Sequence, residues 1–161
     1  MSVTSVDKDF EQLTLTLIAD FDAPAEQVWR LWEDPRKIER WWGPPTYPAT
    51  FERHDFKQGG ETAYYMTGPE GDKHYGWWKV TAIDPPRSVE ITEGFADDEG
   101  RPIPEMPASI MRMRLSDHDG GTRMELRSTF DSREQMDQLV EMGMEEGLAG
   151  AVGQMDALLT A

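Results

Sequence analysis

From position 12 the chain alternates. Leu13, Leu15, Leu17, Ala19 and Phe21 share one parity, and Thr14, Thr16 and Asp20 lie between them. A period of two marks a strand with one buried face. Asp22-Ala23-Pro24 ends it. Asp22 can cap a helix that Pro24 starts well, since proline's missing N–H is harmless in the first turn. Val28, Leu31 and Trp32 then recur at helical spacing, and Asp34-Pro35 repeats the cap-and-proline signal. The pattern predicts a second short helix through Ile38, Trp41 and Trp42, stopped by Gly43-Pro44-Pro45.

Strand text follows over residues 49–56, 62–67, 75–83, 88–95, 109–116 and 122–130, separated by Gly-, Pro- and Asp-rich turns. Residues 117–121 join the last two as a hairpin, and 96–107 is a long polar stretch. The final 30 residues read as helix. Ser132 with Gln135 makes a capping box. Val140, Met144, Leu148, Ala151, Met155 and Leu158 follow at steps of three and four. Continuous to Leu159, such a helix would be roughly 42 Å long. Residues 1–10 are polar and expected to be a flexible segment, leaving 11–161 as one domain. An antiparallel sheet cannot leave an apolar face wet, and the C-terminal helix is the one element large enough to cover it. The expectation is therefore an α+β fold: a curved antiparallel sheet of about seven strands wrapped around a long C-terminal helix, with two short helices after the first strand.

Composition narrows the function. The 161 residues include 16 Lys plus Arg against 31 Asp plus Glu, a formal charge of −15. Nucleic acid and anionic membrane surfaces would be repelled. With no cysteine, disulfide scaffolds, thiolate nucleophiles and Cys-ligated metal sites are excluded. Six Trp, six Phe, four Tyr and ten Met supply core material that disordered acidic chains lack. The N-terminus shows no basic region followed by an apolar one, and no window approaches a membrane span, so a cytoplasmic location is expected.

Several segments together resemble the START-like helix-grip (SRPBCC) superfamily, in the branch named after the activator of heat-shock-protein ATPase. They are FDAPAEQVWRLWEDPRKIERWW with Gly43-Pro44 after it, DFKQGG at 55–60, AIDPPRSVEIT at 82–92, DDEGRP at 97–102, GGTRMEL at 120–126 and GMEEGL at 143–148. Glu93 stands where relatives often carry an aromatic residue. The resemblance implies a cavity between the sheet and the C-terminal helix, in which members hold lipids, polyketides, hormones or other apolar molecules. Some members are cyclases.

Strand parity selects inward residues independently. Tyr64 and Met66 share a side, as do Trp78 and Val80, while Lys79 argues that Trp77 faces out. Val89 and Ile91 carry their parity on to Glu93 and Phe95. Met111, Met113 and Leu115 oppose Arg112 and Arg114. Phe51 and Phe56 have opposite parity, so one faces out or a bulge intervenes. Candidate ligand-binding residues are Trp41, Trp42, Tyr64, Met66, Trp78, Glu93, Phe95, Met111, Met113, Met144, Gly147 and Leu148. Each taken singly reads first as ordinary core, though methionine often lines adaptable apolar surfaces. Gly143, Gly147, Gly150 and Gly153 cost about 1 kcal/mol each in a helix. Either the helix packs closely there or it leaves room for a ligand, and a kink is compatible with both.

Catalytic motifs are sparse. The three histidines, His54, His74 and His118, are dispersed, and no metal-binding spacing occurs. No metal or cofactor is expected. Glu93 is the one candidate catalytic residue: if its parity holds, desolvation raises its pKa. A bulge near Gly94 would instead turn it to solvent. The leading expectation is binding of a lipophilic or aromatic small molecule. The alternatives are a cyclase or aromatase acting on a polyketide-like substrate, and a chaperone-linked protein-interaction module. A homodimer is compatible with each.

Overall fold

The alternating run forms strand β2 (Thr14–Phe21), whose Leu15, Leu17, Ala19 and Phe21 are buried on one face. The computed structural model describes residues 3–159. Ahead of β2, β1 (Val3–Asp9) pairs with it antiparallel. The opening segment, expected to be flexible, is thus a sheet edge, and it brings the sheet to eight strands. Residues 1, 2, 160 and 161, at the ends of the expected segment and domain, lie outside the described residues.

Helix α1 (Ala25–Glu33) buries Val28, Trp29, Leu31 and Trp32 and turns Glu26, Gln27 and Arg30 outward. Burial of such side chains stabilises by about 1.5–3 kcal/mol each. Asp22 does not cap it; Pro24 occupies the cap position with no side-chain hydrogen bond. The second signal works as read. Asp34 accepts from the Arg36 N–H at 2.9 Å, and Pro35 opens α2 (Pro35–Ile38).

The remaining strands are β3 (Ala49–His54), β4 (Glu61–Thr67), β5 (Lys73–Asp84), β6 (Ser88–Ala96), β7 (Ser109–His118) and β8 (Gly121–Thr129). All pairings are antiparallel, in the order β1-β2-β8-β7-β6-β5-β4-β3. The β7–β8 hairpin turns through Asp119 and Gly120, both at positive φ, as a two-residue hairpin loop requires. An irregularity between Phe51 and Arg53 resolves the parity conflict. Phe51 is buried on the inner face, and Phe56, past the strand end, packs on Trp29 at 5.3 Å.

The C-terminal segment is not one long helix. It is α3 (Arg133–Glu141), α4 (Met144–Gly153) and α5 (Met155–Leu159). The first break falls at Gly143, whose φ of 88° is a left-handed conformation that glycine adopts without strain, and the second at Gln154. Ser132 caps α3 by accepting the Gln135 N–H at 3.1 Å, while the Gln135 side chain accepts the Asp131 N–H. The Lys8–Glu145 ion pair ties α4 to β1. No helix among the described residues is long and apolar enough to cross a membrane.

Candidate functional site

The concave face of the sheet is filled at one end and open at the other. At the open end, beneath α3 and α4, lies a cavity of about 410 Å³, within the range of small-molecule sites. Nine of the twelve candidate residues line it: Trp42, Tyr64, Met66, Glu93, Phe95, Met111, Met144, Gly147 and Leu148. Three do not. Trp41 is fully buried in the core, its indole N–H donating to the Leu31 carbonyl at 2.8 Å. Trp78 and Met113 are likewise core residues, each 1% exposed. They share the inward parity but lie deeper along the sheet, where helices and other side chains already cover them.

Strand pairing explains the polar end of the cavity. Trp78 faces Glu93 across β5 and β6 in unbroken register, so the strand does not bulge at Gly94 and Glu93 points inward. Ser109 is the partner of Glu93 on β7. Gly76 lies opposite Tyr64, and a Cβ there would stand 2.5 Å from the Tyr64 ring. Glycine at 76 thus lets the tyrosine lie flat across the neighbouring strand. Its ring stacks on Phe51 at 5.0 Å and stands edge-on to Trp42 and Trp78.

Among the described residues Glu93 has no ion-pair partner. Desolvation pushes its carboxyl up to about 7, and no hydrogen bond to it is found among the described residues. Tyr64 is also held protonated, first by burial and then by the nearby Glu93 charge. The Trp42 and Trp78 indole N–H groups lie close enough to the Tyr64 oxygen to oppose that shift, yet neither closes a hydrogen bond of good geometry.

Ten lining residues stand outside the twelve candidates. Pro44, Tyr47 and Pro107 come from loops that strand parity does not address. Leu139, Met142 and Gly143 sit at the helix break, which a continuous helix concealed. Ser109 and Ser128 share the inward parity of Met111 and Leu126, but parity alone does not mark a polar residue as a cavity wall. Gly94 contributes backbone, and His74 stands at the exposed rim, paired with Asp72 at 2.5 Å.

The other histidines lie elsewhere. His54 is opposite Thr62 and His74 opposite Met66, so they occupy different ends of β4 and do not meet. Both His54 ring nitrogens have partners, the Trp32 carbonyl at 2.6 Å and the Thr62 hydroxyl at 2.9 Å. Burial lowers its pKa, so the ring is neutral. His118 is in the β7–β8 hairpin beside Asp20 and Asp119. Among the described residues no group of three or more His, Asp or Glu is placed to hold a metal ion.

The helix glycines are not explained by close packing. A Cβ at Gly147 or Gly150 would sit 3.7 or 3.8 Å from Pro44 or Pro45, an ordinary contact, and one at Gly153 would meet nothing within 4 Å. Only Gly143 needs its backbone freedom, and only Gly143 and Gly147 border the cavity.

Comparison with known proteins agrees with this architecture. The family model described as activator of Hsp90 ATPase homolog 1-like protein matches residues 22–160. A protein from Arthrobacter aurescens, solved by NMR, is 52% identical over 99% of this chain and 92% of its own, with a TM-score of 0.94. Protein Ms6760 from Mycobacterium smegmatis is 45% identical over 99% of this chain and 98% of its own, with a TM-score of 0.92. The AHSA1 protein from Silicibacter pomeroyi, 24% identical over 91% of this chain and 97% of its own, shares the fold at a TM-score of 0.74. No curated protein matches the chain.

Proposed function

The chain belongs to the family of proteins like homolog 1 of the activator of Hsp90 ATPase, and from that membership and the cavity we propose that it binds a lipophilic or aromatic small molecule between the sheet and α3–α4. The cavity itself carries the reading. It is a space of about 410 Å³ walled by Trp42, Tyr64, Phe95 and four methionines, with a few polar groups at one end, which is how small-molecule sites are built. A chaperone-linked interaction surface has less support. Among the described residues Met142 is the one large apolar side chain that is mostly exposed, well short of the several hundred Å² expected of a docking patch. That side chain stands at the cavity's edge.

One observation favours a second reading, a cyclase- or aromatase-type enzyme. A carboxyl poised near neutrality in an apolar cavity is suited to moving a proton in either direction. Binding is the simpler reading, because the other acid–base groups that line the cavity among the described residues, Tyr47, Tyr64 and the rim residue His74, make no hydrogen bond to Glu93.

Native mass spectrometry of freshly purified protein, with extraction and identification of any bound compound, tests the proposal. A stoichiometric apolar passenger is expected. The variant Gly147→Leu should fill the cavity, keep the fold and release the passenger. Retention of the passenger in a folded Gly147→Leu protein would move the site away from this cavity.

A further inference from the structure

The cavity lining holds the Glu93 carboxyl and, among the described residues, no lysine or arginine. Its one basic side chain, His74, lies at the exposed rim with its Nε2 engaged by Asp72. An anionic ligand end would therefore meet an acid and no free cation, inside a chain of formal charge −15. A carboxyl offers acceptor positions in either protonation state, and those of Glu93 have no partner among the described residues. The Tyr64 oxygen is approached by two indole N–H groups, which leaves its own O–H free to donate. The polar end thus combines an open acceptor with an open donor.

We infer that the molecule this cavity takes ends in a hydrogen-bond donor, a hydroxyl or a protonated amine, that seats on Glu93, and that amphiphiles ending in a carboxylate, sulfate or phosphate are excluded. This rests on the reading of the cavity as a ligand site. A hydroxyl matches both groups, donating to Glu93 and accepting from Tyr64. An ammonium matches Glu93 alone but gains from its charge and from the aromatic faces of Trp42 and Phe95.

Four probes on one skeleton separate the cases: 2-methylnaphthalene, naphthalen-2-ylmethanol, naphthalen-2-ylmethylamine and 2-naphthoate, titrated calorimetrically into the full chain at pH 8. The alcohol or the amine should bind at least about tenfold tighter than the hydrocarbon, the scale of a hydrogen bond to a charged group, and naphthoate should bind weakest. Glu93→Gln should erase the amine's advantage and relieve the penalty on naphthoate. Glu93→Met, which carries no polar end, should keep the hydrocarbon's affinity and so show that the cavity survives. If naphthoate matches or exceeds the alcohol and the amine, or if Glu93→Gln leaves the ranking unchanged, the inference fails while the binding reading stands. If none of the four binds, hydrocarbon included, the binding reading fails and this inference with it.

Discussion

The two ends of the sheet's concave face are built from the same residue types and differ in what is left over. At the filled end Trp32, Trp41, Phe51 and Trp78 pack with ring centroids 5.0–6.2 Å apart, beneath α1 and α2. At the open end Trp42, Tyr64, Phe95 and the methionines stand around empty space beneath α3 and α4. Each end also holds half-buried ionisable groups, His54 at the filled end and Glu93 with Tyr64 at the open one. His54 lies in the filled end with both ring nitrogens bonded. Glu93 lies in the open end with no bond found among the described residues. Unpaired indole N–H groups do not discriminate, since Trp29 and Trp32 have them as well as Trp42 and Trp78. The carboxyl does, because a buried acid without a partner is costly to keep for packing alone. Burial with partners marks structure; burial without them marks a site.

Breaking the filled end should have the largest effect. His54→Leu leaves the Trp32 carbonyl and Thr62 hydroxyl without their partner inside the core, a loss of about 2–4 kcal/mol. Chemical denaturation should show that loss, while the ranking of ligand probes stays as in the parent protein. A change in ranking would mean that His54 communicates with the cavity and that the two ends are not independent.

The open end predicts the opposite sign. Burial raises the Glu93 carboxyl from 4.5 to about 7. Between those values the folded chain keeps a proton that the unfolded chain releases. Stability attributable to this group therefore falls as pH rises through the window, and the penalty is complete above it. With one pKa unit equal to about 1.4 kcal/mol, the penalty at pH 8 is on the order of 3–3.5 kcal/mol. Tyr64 stays protonated throughout, so Glu93 is the carboxyl that titrates within the cavity. Glu93→Gln should be more stable than the parent at pH 8 and equal to it at pH 4. Equal stability at both values would place the carboxyl in contact with solvent.

Much of this layout was legible in the sequence because strand parity is a strong signal. Tyr64, Met66, Glu93, Phe95 and Met111 all point where their alternation said. Parity gives a face, however, and not a depth along it, which is why Trp78 and Met113 read as cavity walls and are core. Trp41 and Trp42 are adjacent, so no period separates them; the hydrogen bond from Trp41 to Leu31 decides. The strand β1 was hidden because an edge strand needs little apolar content, and five of its seven residues are exposed. The helix break could not be placed at Gly143 because four glycines at helical spacing looked alike, although only one of them has a positive φ.

The smallest predicted effect separates those glycines further. Gly147 and Gly150 lie one turn apart on α4 with room for a Cβ, but only Gly147 borders the cavity. Alanine at either position should raise helix stability by about 0.5–1 kcal/mol, since it removes conformational freedom from the unfolded chain. Thermal melts should therefore move upward together for Gly147→Ala and Gly150→Ala. Binding should not move together. The added methyl at 147 takes space that the bulkiest probe uses and should weaken it, whereas the methyl at 150 meets Pro45 and should leave it unchanged. A stabilised pair with identical affinities would mean that the ligand stops short of α4 and rests on the sheet alone. A split would show that this stretch of the helix is kept glycine-rich, at a cost in stability, for the space it leaves beneath.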